Sequence, residues 1–114
     1  MIQIYHNPRC SKSREGLEIV ENSGQKFQVI NYIKEPLNDE TLKGVVKKLG
    51  IRPLDLIRVK EAAWKQFKDK TLADQQVIDA MLQHPELMER PIVVHGSQAV
   101  IGRPPQLIRD LLSK

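Results

Sequence analysis

Apolar and polar positions alternate at the start of the chain. Ile2 and Ile4 flank Gln3, and Tyr5 follows, which is the two-residue period of a short strand. His6-Asn7-Pro8-Arg9-Cys10 breaks the pattern and reads as a loop, because Asn-Pro marks a turn. Ser11 and Ser13 are N-cap candidates for a helix running from about Ser13 to Asn22. Leu17 and Val20 have helical spacing within it, and Gly24 is its expected stop. Phe27 to Ile33 predicts a second strand, so the first third of the chain reads β-α-β.

The period then changes. Leu42, Val45, Val46 and Leu49 fall at i, i+3, i+4 and i+7, with Asn38 ahead as a cap and Gly50 behind as a stop. Pro53 opens a short helical turn, and Ala63, Trp64 and Phe67 predict another short helix. Asp74 precedes a further helix with Val77, Ile78, Met81 and Leu82 on one face. His84-Pro85 ends it, since a proline disfavours helical geometry in the residue before it.

Strand character returns at Ile92-Val93-Val94 and at Gln98-Ala99-Val100-Ile101, with His95-Gly96-Ser97 as a tight hairpin turn. Pro104 and Pro105 start a last helix that turns Leu107, Ile108, Leu111 and Leu112 inward, proline being favoured at the first helical position. The order β-α-β, helical segment, β-β-α predicts an α/β fold in which helices cover a four-stranded sheet.

A length of 114 residues with 40% hydrophobic and 28% charged positions fits one packed domain. The net charge of +4 favours anionic partners. The basic residues are spread from Arg9 to Lys114, and the densest group, Lys65, Lys68 and Lys70, is interrupted by Asp69. No nucleic-acid-binding module accompanies them, so no nucleic acid is expected as partner. A single cysteine excludes an intrachain disulfide. The opening Met1-Ile2-Gln3-Ile4-Tyr5 is too short for a signal peptide, and no apolar run is long enough to cross a membrane. The expectation is a cytoplasmic protein with no membrane partner.

That cysteine, Cys10, falls just after a strand and at the start of a helix. Unpaired N–H groups at a helix start carry partial positive charge and favour an anion. Arg9, Lys12 and Arg14 surround it in sequence, and such settings draw a thiol below its free pKa of about 8.5. His6, four residues earlier, is placed to add a hydrogen bond or a charge. Arg14 is expected to pair with Glu18 at i, i+4. Cys10-Ser11-Lys12-Ser13 has no second cysteine, so any oxidised sulfur must pass to an outside thiol. Ser13 is positioned either to hydrogen-bond the sulfur or to cap the helix. A phosphatase-type cradle needs an arginine six positions after the cysteine, and Gly16 stands there instead. No metal site is expected.

The stretch His6-Asn7-Pro8-Arg9-Cys10-Ser11-Lys12-Ser13-Arg14 resembles the active-site loop of the glutaredoxin-dependent arsenate reductases. Gln83-His84-Pro85 followed by Glu89-Arg90-Pro91-Ile92-Val93-Val94, then Gly102-Arg103-Pro104, and Leu56-Ile57-Arg58 extend the resemblance over nearly the whole chain. It implies a single thioredoxin-like domain with a mixed four-stranded sheet and a helical insert at about residues 35–89. It implies that Cys10 attacks arsenate, that Arg58, Arg90 and Arg103 converge on the oxyanion, that His6 assists the thiolate, and that Pro91 is a cis-proline beside the cysteine. Glutathione is the implied co-substrate and glutaredoxin the implied partner, with no bound cofactor. Two other readings share this scaffold: a Spx-type regulator that binds RNA polymerase, and another glutathione-dependent thiol oxidoreductase.

Overall fold

The computed structural model describes residues 1–67 and 70–113. Lys68 and Asp69, within the basic stretch noted above, and Lys114 lie outside the described residues. The chain divides into two compact units, Met1–Glu35 with Arg90–Lys114, and Pro36–Glu89.

The first unit is built on four strands: β1 (Ile2–Tyr5), β2 (Phe27–Ile30), β3 (Ile92–His95) and β4 (Gln98–Ile101). Their spatial order is β2-β1-β3-β4. β1 and β2 are parallel, in register Ile2 with Phe27, and are linked by helix α1 (Ser11–Asn22), as a parallel pair requires a crossover. β3 lies antiparallel to both β1 and β4. Ile2 and Ile4 of β1, Val93 of β3 and Val20 of α1 form one buried cluster with Ile108, Leu111 and Leu112. The last three belong to helix α4 (Gln106–Leu112), the final element of the chain, labelled after two helices of the second unit.

Several local expectations shift. β2 ends at Ile30 rather than Ile33, because Asn31 Oδ1 accepts the amides of Ile33 and Lys34 and turns the chain. His95 pairs with Gln98 as the last residue of β3, leaving a two-residue turn. Its first position, Gly96, has φ 66°, the left-handed geometry that such a hairpin turn demands there. α4 begins at Gln106, not at a proline: Pro105 precedes it and the Arg103–Pro104 peptide is cis. Leu107 is 39% exposed, so the inward face of α4 is Ile108, Leu111 and Leu112.

The second unit holds helix α2 (Asp39–Leu49) and helix α3 (Asp74–Gln83), with 3-10 turns at Pro53–Leu56, Ala62–Phe67 and Pro85–Leu87. Asn38 Oδ1 accepts the Thr41 amide at 2.7 Å and caps α2, while Asp39 and Glu40 in the first turn and Lys47 and Lys48 in the last suit the helix dipole. Leu42, Val45 and Val46 are buried, and Leu49 is only half-buried. In α3, Val77, Ile78, Ala80 and Met81 are buried and Leu82 is half-buried. Asp74 is the first residue of α3; Ala73 stands at the cap position, its amide received by Gln76 Oε1 at 2.7 Å.

Candidate active site

The loop between β1 and α1 presents the sulfur. Cys10 is the N-cap residue of α1, with extended backbone angles, and its carbonyl accepts the Arg14 amide at 3.0 Å. Ser11 is therefore already helical, and neither Ser11 nor Ser13 caps the helix. The loop is closed on itself: the Cys10 amide donates to the Asn7 carbonyl at 3.0 Å and the Arg9 amide to Asn7 Oδ1 at 3.1 Å.

Burial alone raises the Cys10 thiol pKa. A hydrogen bond from the Arg90 side chain, the backbone N–H groups of Ser13 and Lys12, and the Arg90 charge outweigh burial and hold it below the ordinary value. Cys10 stands at the N-cap without a side-chain cap hydrogen bond, and the partial positive charge of the second and third amides of the helix favours its thiolate. Arg103 Nη2 donates to the same sulfur at 3.6 Å. Cys10 remains partly exposed.

The two arginines flank the open end of the β3-β4 hairpin, where Ile92 pairs with Ile101. Arg90 lies two residues before β3, is 7% exposed, and leads into a cis Arg90–Pro91 peptide. Arg103 follows β4 and donates through Nε to the Arg90 carbonyl at 2.8 Å. Pro91 is gripped by glycines. A Cβ on Gly16 would lie 2.5 Å from Pro91 Cγ, and one on Gly102 would lie 2.9 Å from it. Gly16, notable in the sequence only for not being arginine, is what lets α1 approach this proline. The Gly102 amide donates to the Pro91 carbonyl at 2.8 Å.

His6 and Ser13 meet inside the loop. Ser13 is fully buried, and its hydroxyl oxygen accepts the Asn7 amide at 2.9 Å and lies 2.7 Å from His6 Nδ1. The Ser13 hydroxyl is thus engaged with the loop rather than with the sulfur; only its amide serves Cys10. Burial lowers the His6 pKa, with a hydrogen bond to the Ser13 backbone opposing the shift. Arg14 does not pair with Glu18 among the described residues. It turns back to the Pro8 carbonyl at 3.0 Å, and the helical pair is Lys12 with Glu15 at 3.6 Å.

Arg58 belongs to the second unit. Its guanidinium faces two carboxylates, Glu61 at 3.4 Å and Glu89 at 4.0 Å. Among the described residues no group of His, Cys, Asp and Glu side chains could hold a metal ion, and no helix is long and apolar enough to cross a membrane.

A parallel β-α-β, an antiparallel hairpin and a cysteine at the start of the first helix define a thioredoxin-like domain. Comparison with known proteins gives the family. Residues 5–111 match the ArsC family, and the chain belongs to it. The chain is 41% identical to the uncharacterised YfgD protein of Escherichia coli K12, covering 97% of this chain and 96% of that one. It is 38% identical to the arsenate reductase of Haemophilus influenzae, over 96% and 97% respectively. Among solved structures, the arsenate reductase from Vibrio cholerae superposes with a TM-score of 0.89 at 43% identity, covering 96% of this chain and 95% of that one.

Proposed function

We propose that this protein reduces arsenate to arsenite, with Cys10 as nucleophile and outside thiols as electron donors. The observation that carries the reading is the pairing of one partly exposed sulfur, held toward its anionic form, with the guanidinium groups of Arg90 and Arg103. Arginine's planar fork suits tetrahedral oxyanions, and two such groups offset the charge of an incoming arsenate. Family membership and relatives named arsenate reductase at close to 40% identity support arsenic as the element.

The Cys10 thiolate attacks arsenic and an arsenate oxygen leaves, protonated, as water. The two arginines bind the remaining oxygens and stabilise charge during attack. Glutathione then attacks arsenic in the Cys10 adduct and displaces a second oxygen as water; a glutaredoxin thiolate takes the glutathione sulfur as a mixed disulfide, and the broken sulfur–arsenic bond leaves its electron pair on arsenic. Those two thiols supply the two electrons that carry arsenic from the pentavalent to the trivalent state. Water releases arsenite and Cys10 returns as a thiol. The chain has one cysteine, so it has no internal dithiol to serve instead. Arg58 is proposed as a third oxyanion ligand on the resemblance, and a reducing cytoplasm suits the thiol donors.

The test is arsenate reduction with glutathione and glutaredoxin supplied, using Cys10→Ser as control. Turnover that needs Cys10 and both donors supports the proposal. Absence of turnover, or turnover that survives Cys10→Ser, contradicts it.

A further inference from the structure

We infer that Arg103 is a positioning residue for Arg90: its Nε–H holds the Arg90 carbonyl and so fixes the backbone from which the Arg90 side chain reaches the Cys10 sulfur. Arg103 makes two contacts, each at an ordinary length for its acceptor: Nε donates to the Arg90 carbonyl at 2.8 Å, and Nη2 to the larger sulfur at 3.6 Å. The guanidinium is planar, so committing Nε–H to the carbonyl also fixes the direction in which the Nη edge points. Arg103 is anchored at its own backbone, where its amide donates to the Ile101 carbonyl at 2.8 Å. The neighbouring residue is restrained separately. Pro91 is held by the Gly102 amide at its carbonyl and by Gly16 and Gly102 at its ring. The Arg90 carbonyl is the link that Arg103 supplies.

This divides two roles of Arg103 that side-chain geometry can separate. Glutamine places Nε2 at the same distance along the side chain as arginine's Nε, so Arg103→Gln keeps a donor for the Arg90 carbonyl and removes the charge. Lysine has a methylene at that point, so Arg103→Lys keeps the charge and removes the donor. If Arg103 acted only as a nearby cation, the lysine variant would preserve the thiolate and the glutamine variant would not.

The experiment is the pH profile of iodoacetamide alkylation of Cys10 in the unliganded wild-type, R103K and R103Q proteins. Arsenate is not needed, so the outcome is independent of the proposed substrate. The expected result is an R103K midpoint above wild type by about one unit, the scale of losing a well-placed cation, and at or above that of R103Q. An R103K midpoint at the wild-type value, or below that of R103Q, overturns the inference.

Discussion

Ser13 Oγ lies 2.7 Å from His6 Nδ1 and accepts the Asn7 amide at 2.9 Å, so one buried hydroxyl ties α1 to the loop that precedes Cys10. The hydroxyl has one proton and two lone pairs, so it serves His6 Nδ1 in either tautomer of the ring while accepting the Asn7 amide. Ser13→Ala strands the His6 ring nitrogen and the Asn7 amide together. The expected cost is about 1–3 kcal/mol of stability, read as a lower urea midpoint with an unchanged slope. A midpoint equal to wild type would show that the hydroxyl ties nothing.

His6 also makes stability depend on pH. Burial lowers the His6 pKa in the folded state, so between the folded and unfolded values the unfolded chain binds more protons. Stability from this group is complete above the unfolded value of about 6.5 and declines as pH falls from there to the folded value. His6→Gln is expected to flatten this part of the profile. Urea titrations across that window check it, and an equal pH slope in both proteins contradicts it.

Gly16 and Gly44 make opposite predictions although both lie inside helices. A Cβ at Gly16 meets Pro91 Cγ at 2.5 Å, so Gly16→Ala forces the proline or the helix to move. The expected loss is about 1–3 kcal/mol, with reduced Cys10 reactivity because Pro91 adjoins Arg90. At Gly44 a Cβ meets nothing within 4 Å, and Gly44→Ala should stabilise by about 0.5–1 kcal/mol through helix propensity. Thermal melts of the two variants read both signs.

Arg90→Ala removes both the hydrogen bond and the charge that hold the thiolate. Under the proposed function it lowers kcat/KM for arsenate by an amount equivalent to about 2–5 kcal/mol, and it moves the alkylation midpoint of Cys10 upward. Unchanged turnover in this variant would leave Arg90 a structural residue.

The sheet was legible because its signals are local. β1, β3 and β4 are short apolar runs bounded by turn residues, and α2 carries both a cap and a 3.6-residue stripe. The errors came where tertiary contacts override local preference. Arg14 and Glu18 have ideal helical spacing, yet Arg14 finds the Pro8 carbonyl across the loop. Ser13 has good capping chemistry, yet Cys10 stands at the cap and the serine hydroxyl is drawn inward to His6. Leu107 matches an apolar run, but at helical spacing Ile108, Leu111 and Leu112 form the buried stripe and Leu107 falls at its edge, where it is exposed. At the site, the importance of Cys10 followed from its neighbours in sequence. The hold of Arg103 on the Arg90 carbonyl and the fit of Pro91 against Gly16 join residues far apart in the chain. No single-sequence period encodes either.

The account rests on the charge state of one sulfur. The most direct measurement is the rate of Cys10 alkylation by iodoacetamide in the wild-type protein as a function of pH. The amides of Ser13 and Lys12 and the Arg90 guanidinium predict a midpoint clearly below the free-thiol value of about 8.5. A midpoint at or above that value would contradict it.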